Sequence, residues 1–269
     1  MYPDPNSKSQ ALYNRALKSL PGGNSRTTVF MKPYPIYAAR GEGCRVTDLD
    51  GNVFIDCINN FASLIHGHAH PKLVKAATDQ MMLGSAFGLP TEAEVDLAEL
   101  LTSRLASVDQ VRFANSGTEA VMMALKAARA FTGRPKIAKC EGAYHGSYDY
   151  AEVSLDPTPE AWGRNAPMSV AYAKGTPENV LADVLTIPFN DPEAAVSLIR
   201  EHGPELACVL VDPMPNRAGL VPADKAYIEA LRAVTREVGA LLIFDEVISF
   251  RLGYRGAQGL WDADPDLTA

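Results

Sequence analysis

The sequence is poor in positive charge, since 25 lysines and arginines stand against 32 acidic residues and the net charge is −7. This balance disfavours a nucleic-acid partner, because such proteins concentrate basic residues on one surface. The chain has no apolar run of about 18 residues, so we expect no membrane-spanning helix. Its N-terminus lacks the basic and apolar parts of a signal peptide. These absences predict a cytoplasmic protein, and the charge balance says little about a small substrate.

Cysteine is also scarce, and no two cysteines form a CxxC pair, which argues against a zinc site and a disulfide framework. The cysteines are Cys44, Cys57, Cys140 and Cys208. We expect free, buried thiols in a reducing compartment. The HxHxH run at 66–70 is a second signal for a metal, because three imidazoles are able to bind zinc. No carboxylate or cysteine stands beside it in sequence, however, and Pro71 is typical of a helix start. We therefore interpret the run as a loop and expect no metal.

The pattern along the chain indicates two parts. Residues 1–56 predict a helix over 1–20 and a small antiparallel arm over 29–56. Residues 57–269 alternate helices with short apolar strands, which predicts an α/β domain with a largely parallel sheet. The elements predicted in this domain are helices over 71–83, 91–105, 116–132 and 227–238, strands over 111–114, 136–140, 207–211 and 241–244, and a long loop over 154–180.

One candidate site begins at Ser116, after the predicted strand over 111–114. Ser116 and Glu119 have the spacing of a capping box. Gly117 allows a ligand to approach the backbone, and the free N–H groups of a helix start favour a phosphate. On this local pattern alone, a capped helix without a ligand is the favoured interpretation.

A second candidate is Asp245, which follows the apolar run over 241–244. Ligands of open α/β sheets bind beyond the carboxyl ends of the strands. A carboxylate there can hold a pyridinium N–H or a magnesium ion, act as a general acid, or simply cap the next turn. The run followed by Asp245 and Glu246 also resembles the Walker B element of an ATPase. That interpretation requires a GxxxxGK[ST] loop, which the chain lacks.

A third candidate is the pair Tyr144 and His145, which follows the predicted strand over 136–140. An aromatic ring at a strand end is able to stack on a flat heterocycle. Taken alone, the pair is more typical of a surface turn.

Together and in this order, the three motifs resemble the class III aminotransferases, which are pyridoxal-phosphate (PLP) enzymes of fold type I. The most similar branches are the glutamate-1-semialdehyde aminomutases and the β-amino-acid aminotransferases. The resemblance covers about residues 20–269 and includes the stretches 67–71, 112–120, 141–146, 244–247 and 265–268. It implies the large domain of fold type I, with the C-terminal domain absent from this chain, and a homodimer with shared active sites.

The resemblance also implies a role for each candidate residue. The implied PLP contacts are Ser116, Gly117 and Thr118 for the phosphate, Tyr144 and Val247 for the two ring faces, His145 beside the ring and Asp245 for the ring nitrogen. A carboxylate at the nitrogen keeps it protonated, so that the ring is able to accept electrons. Arg26 matches an arginine that binds the substrate carboxylate through two parallel hydrogen bonds. A solvated loop arginine is the alternative for Arg26.

The catalytic lysine of the family is expected just after Ala269, because the family's lysine follows a stretch like 265–268. Lys126 and Lys139 do not occupy a matching position, since one lies in a predicted helix and the other in a predicted strand. The sequence is therefore expected to be cut before the catalytic lysine. An inactive fragment is the alternative.

Two departures from the family pattern bear on function. Residues 156–163 do not match the glycine-rich mobile loop of the aminomutases. Asp212 replaces a glutamate in the usual Glu-Pro pair, and Arg217 is an added charge. We expect an aminotransferase that acts on an amino acid, with a β-amino acid as a candidate, and on a keto acid. The alternatives are an aminomutase, which moves the amino group within one molecule, and a non-catalytic relative.

Overall fold

The computed structural model describes residues 2–163 and 166–269. The chain forms two compact units, Met1–Leu89 and Pro90–Ala269. The sequence predicts a domain boundary after residue 56 from a change in the pattern of strands and helices. The division into compact units uses a different criterion and does not test that boundary, which stays a prediction.

The first unit contains the antiparallel arm. Its elements are α1 (Lys8–Ala16), β1 (Ala38–Glu42), β2 (Arg45–Asp48), β3 (Val53–Ile55), α2 (Asn59–Ala62), α3 (Pro71–Leu83) and the 3-10 helices Pro21–Gly23 and Thr27–Val29. The three strands pair antiparallel in the order β1-β2-β3. The carboxylate of Asp48 accepts the N–H groups of Asp50 and Asn52, at 2.9 and 2.8 Å, and so closes the β2–β3 hairpin. The predicted arm is confirmed.

Helix α1 is shorter than the predicted span of 1–20. The side chain of Ser7 caps its start by accepting the N–H of Gln10 at 3.0 Å. Since a capping serine occupies the non-helical position before the first turn, the residues before it lie outside the helix. Pro71 begins α3, as predicted. Proline suits this position because the N–H groups of the first turn have no acceptor within the helix, so the N–H that proline lacks is not needed.

The second unit contains the α/β sheet. Its elements are α4 (Glu92–Arg104), α5 (Gly117–Thr132), β4 (Lys136–Cys140), α6 (Asp149–Glu152), α7 (Glu178–Ala182), β5 (Val184–Ile187), α8 (Pro192–His202), β6 (Leu206–Val211), α9 (Lys225–Val238), β7 (Leu241–Phe244), α10 (Gln258–Trp261), β8 (Leu267–Thr268) and the 3-10 helices Pro159–Ala161, Gly203–Glu205, Asn216–Ala218 and Ser249–Leu252. In the described part of the chain these strands form one sheet in the order β5-β4-β6-β7-β8, and every neighbouring pair is parallel. The predicted α/β fold class is confirmed.

Helices cover both faces of the sheet. Strand β6 is buried along its whole length, and its continuous apolar sequence is typical of a strand covered on two sides. One core cluster joins Leu125 of α5 to Ile137 and Ile243, and the other joins Leu231 of α9 to Val209. Helix α9 ends at Val238 and is capped by Gly239, whose φ of 69° is the left-handed conformation that favours glycine.

Three expectations about secondary structure and burial need correction. Residues 111–114 form no strand, because no other strand in the described part of the chain offers them a ladder partner. Strand β5 and helix α8 were not expected, although Asp191 caps α8 by accepting the N–H of Ala194 at 3.1 Å. The cysteines are free, but Cys44 and Cys57 are exposed and not buried, because they lie in the arm and outside the core clusters.

The predicted loop over 154–180 is irregular apart from the 3-10 helix Pro159–Ala161 and the start of α7, and its residues 164 and 165 lie outside the described residues. Among the helices that the structure describes, none is both long and apolar enough to cross a membrane.

Candidate active site

The candidate residues of the second unit gather at one edge of the parallel sheet. Strands β4, β6 and β7 are neighbours, so their carboxyl ends meet at this edge. Tyr144 and His145 follow β4, Asp212 follows β6 and Asp245 follows β7. This is the edge at which open α/β sheets bind their ligands.

A buried hydrogen bond joins the loops after β4 and β7. Nδ1 of His145 lies 2.7 Å from Oδ2 of Asp245, and both side chains are almost fully buried. Burial lowers the pKa of His145, although the carboxylate of Asp245 opposes this shift. The contact is a buried hydrogen bond in which the Nδ1–H of the imidazole donates to the carboxylate of Asp245.

The other oxygen of Asp245 accepts the N–H of Val247 at 3.1 Å. Each carboxylate oxygen has two lone pairs, so Asp245 retains acceptor capacity for a ligand. In the described part of the chain, Nε2 of His145 is buried without a partner. The sequence predicted that these residues lie at strand ends but not that they bond to each other.

Helix α5 begins at this edge with the predicted serine cap. Ser116 accepts the N–H of Glu119 at 3.2 Å. The carboxylate of Glu119 accepts the N–H of Asn115 at 2.6 Å, whereas a capping box would use the N–H of Ser116. Only the serine half of the predicted box therefore forms, because the carboxylate of Glu119 takes the N–H one residue before the cap. The N–H groups of Gly117 and Thr118 lie in the first turn and have no acceptor within the helix.

The start of α5 contacts both strand-end loops. A Cβ atom on Gly117 would lie 2.8 Å from Cγ2 of Val247, so this approach requires glycine. The hydroxyl of Thr118 accepts the N–H of Ser147 at 3.1 Å, which ties the Tyr144 loop to the helix. Tyr144 and Val247 are 41% and 44% exposed, whereas Asp245 is 4% exposed. The edge therefore presents an apolar ring and a valine beside a buried carboxylate and a helix start.

Two further acids lie near Asp245. Burial raises the pKa of Asp212 to about 7, with Asp245 and Glu246 adding to the shift and the N–H of Met214 opposing it. Glu246 is buried and accepts the N–H groups of Ala257 and Gln258, at 2.6 and 3.1 Å, so it fixes the turn before α10. Of the two adjacent acids after β7, Asp245 therefore belongs to the candidate site, whereas Glu246 stabilises the backbone before α10.

Lys139 is a buried cation in β4 that the sequence analysis did not select. Its Nζ donates to the carbonyl of Val153 at 2.7 Å and to that of Cys140 at 3.2 Å. These two residues flank the loop that carries Tyr144 and His145, so Lys139 joins the two ends of the loop. Burial lowers the pKa of Lys139 to about 8. A lysine inside an apolar strand is rare enough to have served as a signal.

Arg26 lies in the first unit. Its Nη1 donates to Oδ1 of Asn60 at 2.7 Å, and its Cζ lies 5.0 Å from the centroid of the Phe61 ring. Arg217 lies in the loop after β6 and is half-exposed. Its Nη2 is 3.8 Å from Oδ1 of Asp156.

The histidine run has a carboxylate partner that its sequence neighbourhood does not contain. Nε2 of His68 lies 2.7 Å from Oδ2 of Asp56, because the arm brings the end of β3 beside the run. The structure describes no group of three metal-ligating side chains in residues 2–163 and 166–269.

Ala269 extends the sheet edge beside this site. Its N–H donates to the carbonyl of Phe244, and its carbonyl accepts the N–H of Glu246, both at 2.8 Å. Its backbone is therefore paired on both sides of Asp245.

This fold defines an α/β protein whose candidate residues gather at the carboxyl edge of a parallel sheet. The sequence model described as aminotransferase class-III matches residues 28–269, and the chain belongs to that family. Enzymes of this family use PLP.

Known relatives of this chain are named for different activities. The chain is 43% identical over 261 residues to a glutamate-1-semialdehyde 2,1-aminomutase of Methanothermobacter thermautotrophicus, and the match covers 97% of this chain and 60% of that protein. The chain thus spans about 60% of the length of this relative.

Two solved structures are similar. An omega-transaminase from Sphaerobacter thermophilus has 53% identity and a TM-score of 0.97, with 99% of this chain and 61% of that chain covered. A β-phenylalanine aminotransferase from Variovorax paradoxus has 36% identity and a TM-score of 0.84, with 98% and 56% covered.

Proposed function

We propose that this protein is a PLP-dependent aminotransferase, which transfers an amino group from an amino acid to a keto acid. The observation that carries the proposal is the meeting of the α5 start with the His145–Asp245 pair through Gly117 and Val247. A phosphate-binding helix start and a carboxylate for a ring nitrogen are both required by one cofactor, and here they lie at one sheet edge.

The residues at this edge fit PLP. The free N–H groups of Gly117 and Thr118 suit the phosphate, and Ser116 adds a hydroxyl. The exposed side chains of Tyr144 and Val247 offer contacts for the two ring faces.

Asp245 is the proposed partner of the ring nitrogen and the catalytic residue within this chain. When bound, PLP accepts the electrons left on the substrate carbon as a proton leaves, which makes transfer of the amino group possible. Asp245 keeps the ring nitrogen protonated, and His145 holds the carboxylate in place by donating its Nδ1–H. Because Asp245 is buried, its charge acts at low dielectric and without competing water.

A lysine beyond Ala269 remains the proposed site of covalent cofactor attachment and the proposed carrier of the substrate proton. The pairing of Ala269 with Phe244 and Glu246 supports this, because it holds the backbone beside Asp245. A lysine that follows this position by a few residues would lie close in sequence to the same sheet edge.

Arg26 is the proposed ligand of the substrate carboxylate. A guanidinium binds a carboxylate through two parallel hydrogen bonds, which suits an amino acid better than an amine that lacks a carboxylate. A β-amino acid is our candidate donor, and the similarity to the β-phenylalanine aminotransferase supports it.

An aminomutase is the second candidate function, because the relative from Methanothermobacter thermautotrophicus carries that name. Against it, the segment 156–163 forms a short 3-10 helix at Pro159–Ala161, and Nε1 of Trp162 donates to the carbonyl of Pro157 at 3.0 Å. An aminomutase is expected to have a glycine-rich mobile loop here, whereas this segment has a helical turn and a side-chain hydrogen bond. An aminotransferase requires an added keto acid for turnover, whereas an aminomutase does not.

We also propose a homodimer. In the first unit, the apolar side chains from the end of α3 onward are more than half exposed. They are Met81, Met82, Leu83, Phe87 and Leu89. An apolar surface of this kind marks a contact with another protein surface. Sedimentation of the full-length protein should give twice the monomer mass, and Leu83→Asp should lower it.

The direct test is turnover by the PLP-loaded, full-length protein with β-phenylalanine as donor and 2-oxoglutarate as acceptor. We expect turnover only when both are present, together with a PLP absorbance band that shifts when the donor is added. Asp245→Ala should lower kcat by about 100- to 1000-fold, as expected for the loss of one preorganised electrostatic contact. Glu237→Ala is the matched control, since Glu237 is an exposed acid paired with Arg200.

Near-normal kcat in Asp245→Ala would remove Asp245 from its proposed role. Turnover of glutamate-1-semialdehyde without a keto acid would favour the aminomutase. A protein that gives no PLP absorbance band would be a non-catalytic relative.

A further inference from the structure

Among the described residues, no carboxylate forms an ion pair with Arg26, and the contacts of its guanidinium are uncharged. One N–H is bonded to the amide oxygen of Asn60, and the guanidinium lies over the ring of Phe61. The arginines that contact a carboxylate in the described part of the chain are Arg200, Arg217, Arg232 and Arg236. An amide and an aromatic face orient a guanidinium without neutralising it, so Arg26 retains its charge for an external anion.

The partners of Arg26 lie on an unusual piece of backbone. The four residues of α2 have φ of 51°, 47°, 56° and 64°, so they form one left-handed turn. This conformation costs about 1–2 kcal/mol per residue that is not glycine, and less for asparagine. The carboxylate of Asp56 holds the turn by accepting the N–H groups of Ile58 and Asn59, both at 2.9 Å. Backbone strain of this kind is concentrated at functional sites.

The amide of Asn60 has a fixed orientation. Its Nδ2 donates to Oγ of Ser63 at 2.7 Å, and that hydroxyl donates to the backbone carbonyl of Asn60 at 2.9 Å. Because Ser63 uses the donor end of the amide, the acceptor end faces Arg26. Asn60 is thus a preset acceptor for one of the five guanidinium N–H groups.

We propose that Asn60 is a positioning residue that orients Arg26 for the carboxylate of the substrate, and that the left-handed turn α2 brings Asn60 and Phe61 onto the guanidinium. The proposal rests on the proposed role of Arg26. Asn60 uses one N–H and Phe61 supports one face, so the other donors of the fork remain for a two-point contact with a carboxylate. Orientation before binding lowers the entropic cost of that contact.

The test compares two glycine variants of the full-length, PLP-loaded protein. Asn60→Gly removes the amide and leaves a backbone that accepts positive φ without strain. Asn59→Gly is the matched control, since Asn59 is the neighbouring asparagine of the same turn with φ of 51°. Both variants should keep the thermal midpoint of the wild type or raise it, which separates positioning from folding.

The probe for binding is 3-phenylpropanoate, a carboxylate that has no amino group to react. Calorimetry should give a Kd about tenfold higher in Asn60→Gly than in the wild type, the effect of one lost orienting hydrogen bond. Asn59→Gly should retain the wild-type Kd. In turnover, Asn60→Gly should raise KM for β-phenylalanine by a similar factor with little change in kcat. It should leave KM unchanged for 1-phenylethylamine, in which a methyl group replaces the carboxymethyl group.

Arg26→Ala separates failure of this inference from failure of the proposed function. If Arg26→Ala weakens 3-phenylpropanoate binding and Asn60→Gly does not, Arg26 keeps its role and the positioning role of Asn60 is wrong. If neither variant changes the Kd, the proposed role of Arg26 is wrong and the inference falls with it. Equal weakening by Asn59→Gly and Asn60→Gly would assign the effect to the backbone and also overturn the proposal.

Discussion

The two compact units of the chain bury apolar side chains to very different extents. In Pro90–Ala269, helices cover both faces of the sheet and β6 is wholly buried. In the described part of Met1–Leu89, the buried apolar side chains are mainly Ala16 and Tyr34, while Met82 is 83% exposed. The second unit therefore has a core of its own, whereas the first unit retains apolar surface for contacts outside itself. This difference is what the proposed dimer requires.

The pKa shifts of Asp56 in the first unit and of Asp212 and Lys139 in the second unit have different causes. In the first unit, hydrogen bonds from the backbone N–H of Asn59 and from His68 lower the pKa of Asp56. In the second unit, burial shifts the pKa of Asp212 upward and that of Lys139 downward, so both shifts favour the uncharged form. Strongly shifted pKa values are concentrated at functional sites, which agrees with the position of the candidate site in the second unit.

The largest expected effect compares one apolar residue from each unit. Leu210→Ala, in the buried strand β6, should lower the free energy of unfolding by about 2–5 kcal/mol, because it leaves a cavity. Met82→Ala should change the stability of the first unit by less than about 0.5 kcal/mol, since its side chain has little packing to lose. Urea denaturation measures both at a protein concentration where the monomer predominates. Similar losses in the two variants would contradict the proposed difference in core formation.

The next effect concerns the buried pair of the second unit. His145→Leu leaves the carboxylate of Asp245 buried without its main donor, so we expect a loss of about 2–4 kcal/mol. His145→Asn is the control, because its amide N–H takes the place of Nδ1–H and should restore most of that stability. Urea denaturation of cofactor-free protein measures both variants. If the asparagine variant is as unstable as the leucine variant, packing and not the hydrogen bond explains the loss.

The sequence predicted those parts of the fold whose signals are local. Helix α5 carries its own cap at Ser116, and β7 is an apolar run that ends at Asp245, so each could be identified within a few residues. The strand predicted over 111–114 was wrong because a strand depends on a partner that its own residues do not specify. Lys139 lies inside an apolar strand, which is a local signal that was overlooked, but its bond to Val153 spans the Tyr144 loop and could not be predicted.

The candidate site shows the same limit. Motif order and family resemblance placed the candidates Gly117, Tyr144 and Asp245 in one group before any coordinates, because each follows a recognisable element. The hydrogen bond between His145 and Asp245 could not be predicted, as it joins side chains 100 residues apart. The contact of Arg26 with Asn60 depends in addition on a left-handed turn. Such a turn could not be predicted, because a bulky residue such as Phe61 rarely adopts a positive φ.

The pH dependence of Asp212 tests the contrast in charge. Its pKa is about 7 in the folded protein and 3.8 ordinarily, so between these values the folded state holds a proton that the unfolded state has lost. Stability from this group is therefore present at low pH and is lost as pH rises to about 7. Relative to Asp212→Asn, the cofactor-free wild type should lose about 2–4 kcal/mol between pH 4 and pH 7, roughly the free-energy equivalent of the shift. Parallel stability curves would show that this carboxylate is not held in its neutral form.

The smallest effect, from Lys139, has the opposite sign. Its pKa is about 8 when folded and 10.5 ordinarily, so in this range the unfolded state holds a proton that the folded state has lost. Stability from this group therefore rises with pH. Relative to Lys139→Met, the wild type should gain about 1–3 kcal/mol between pH 8 and pH 10.5. Loss of the hydrogen bond to Val153 would displace the variant's curve by a constant amount, so the difference in slope reports the titration alone. Curves of equal slope would mean that the amine stays charged in the second unit, and the contrast with the first unit would then rest on Asp212.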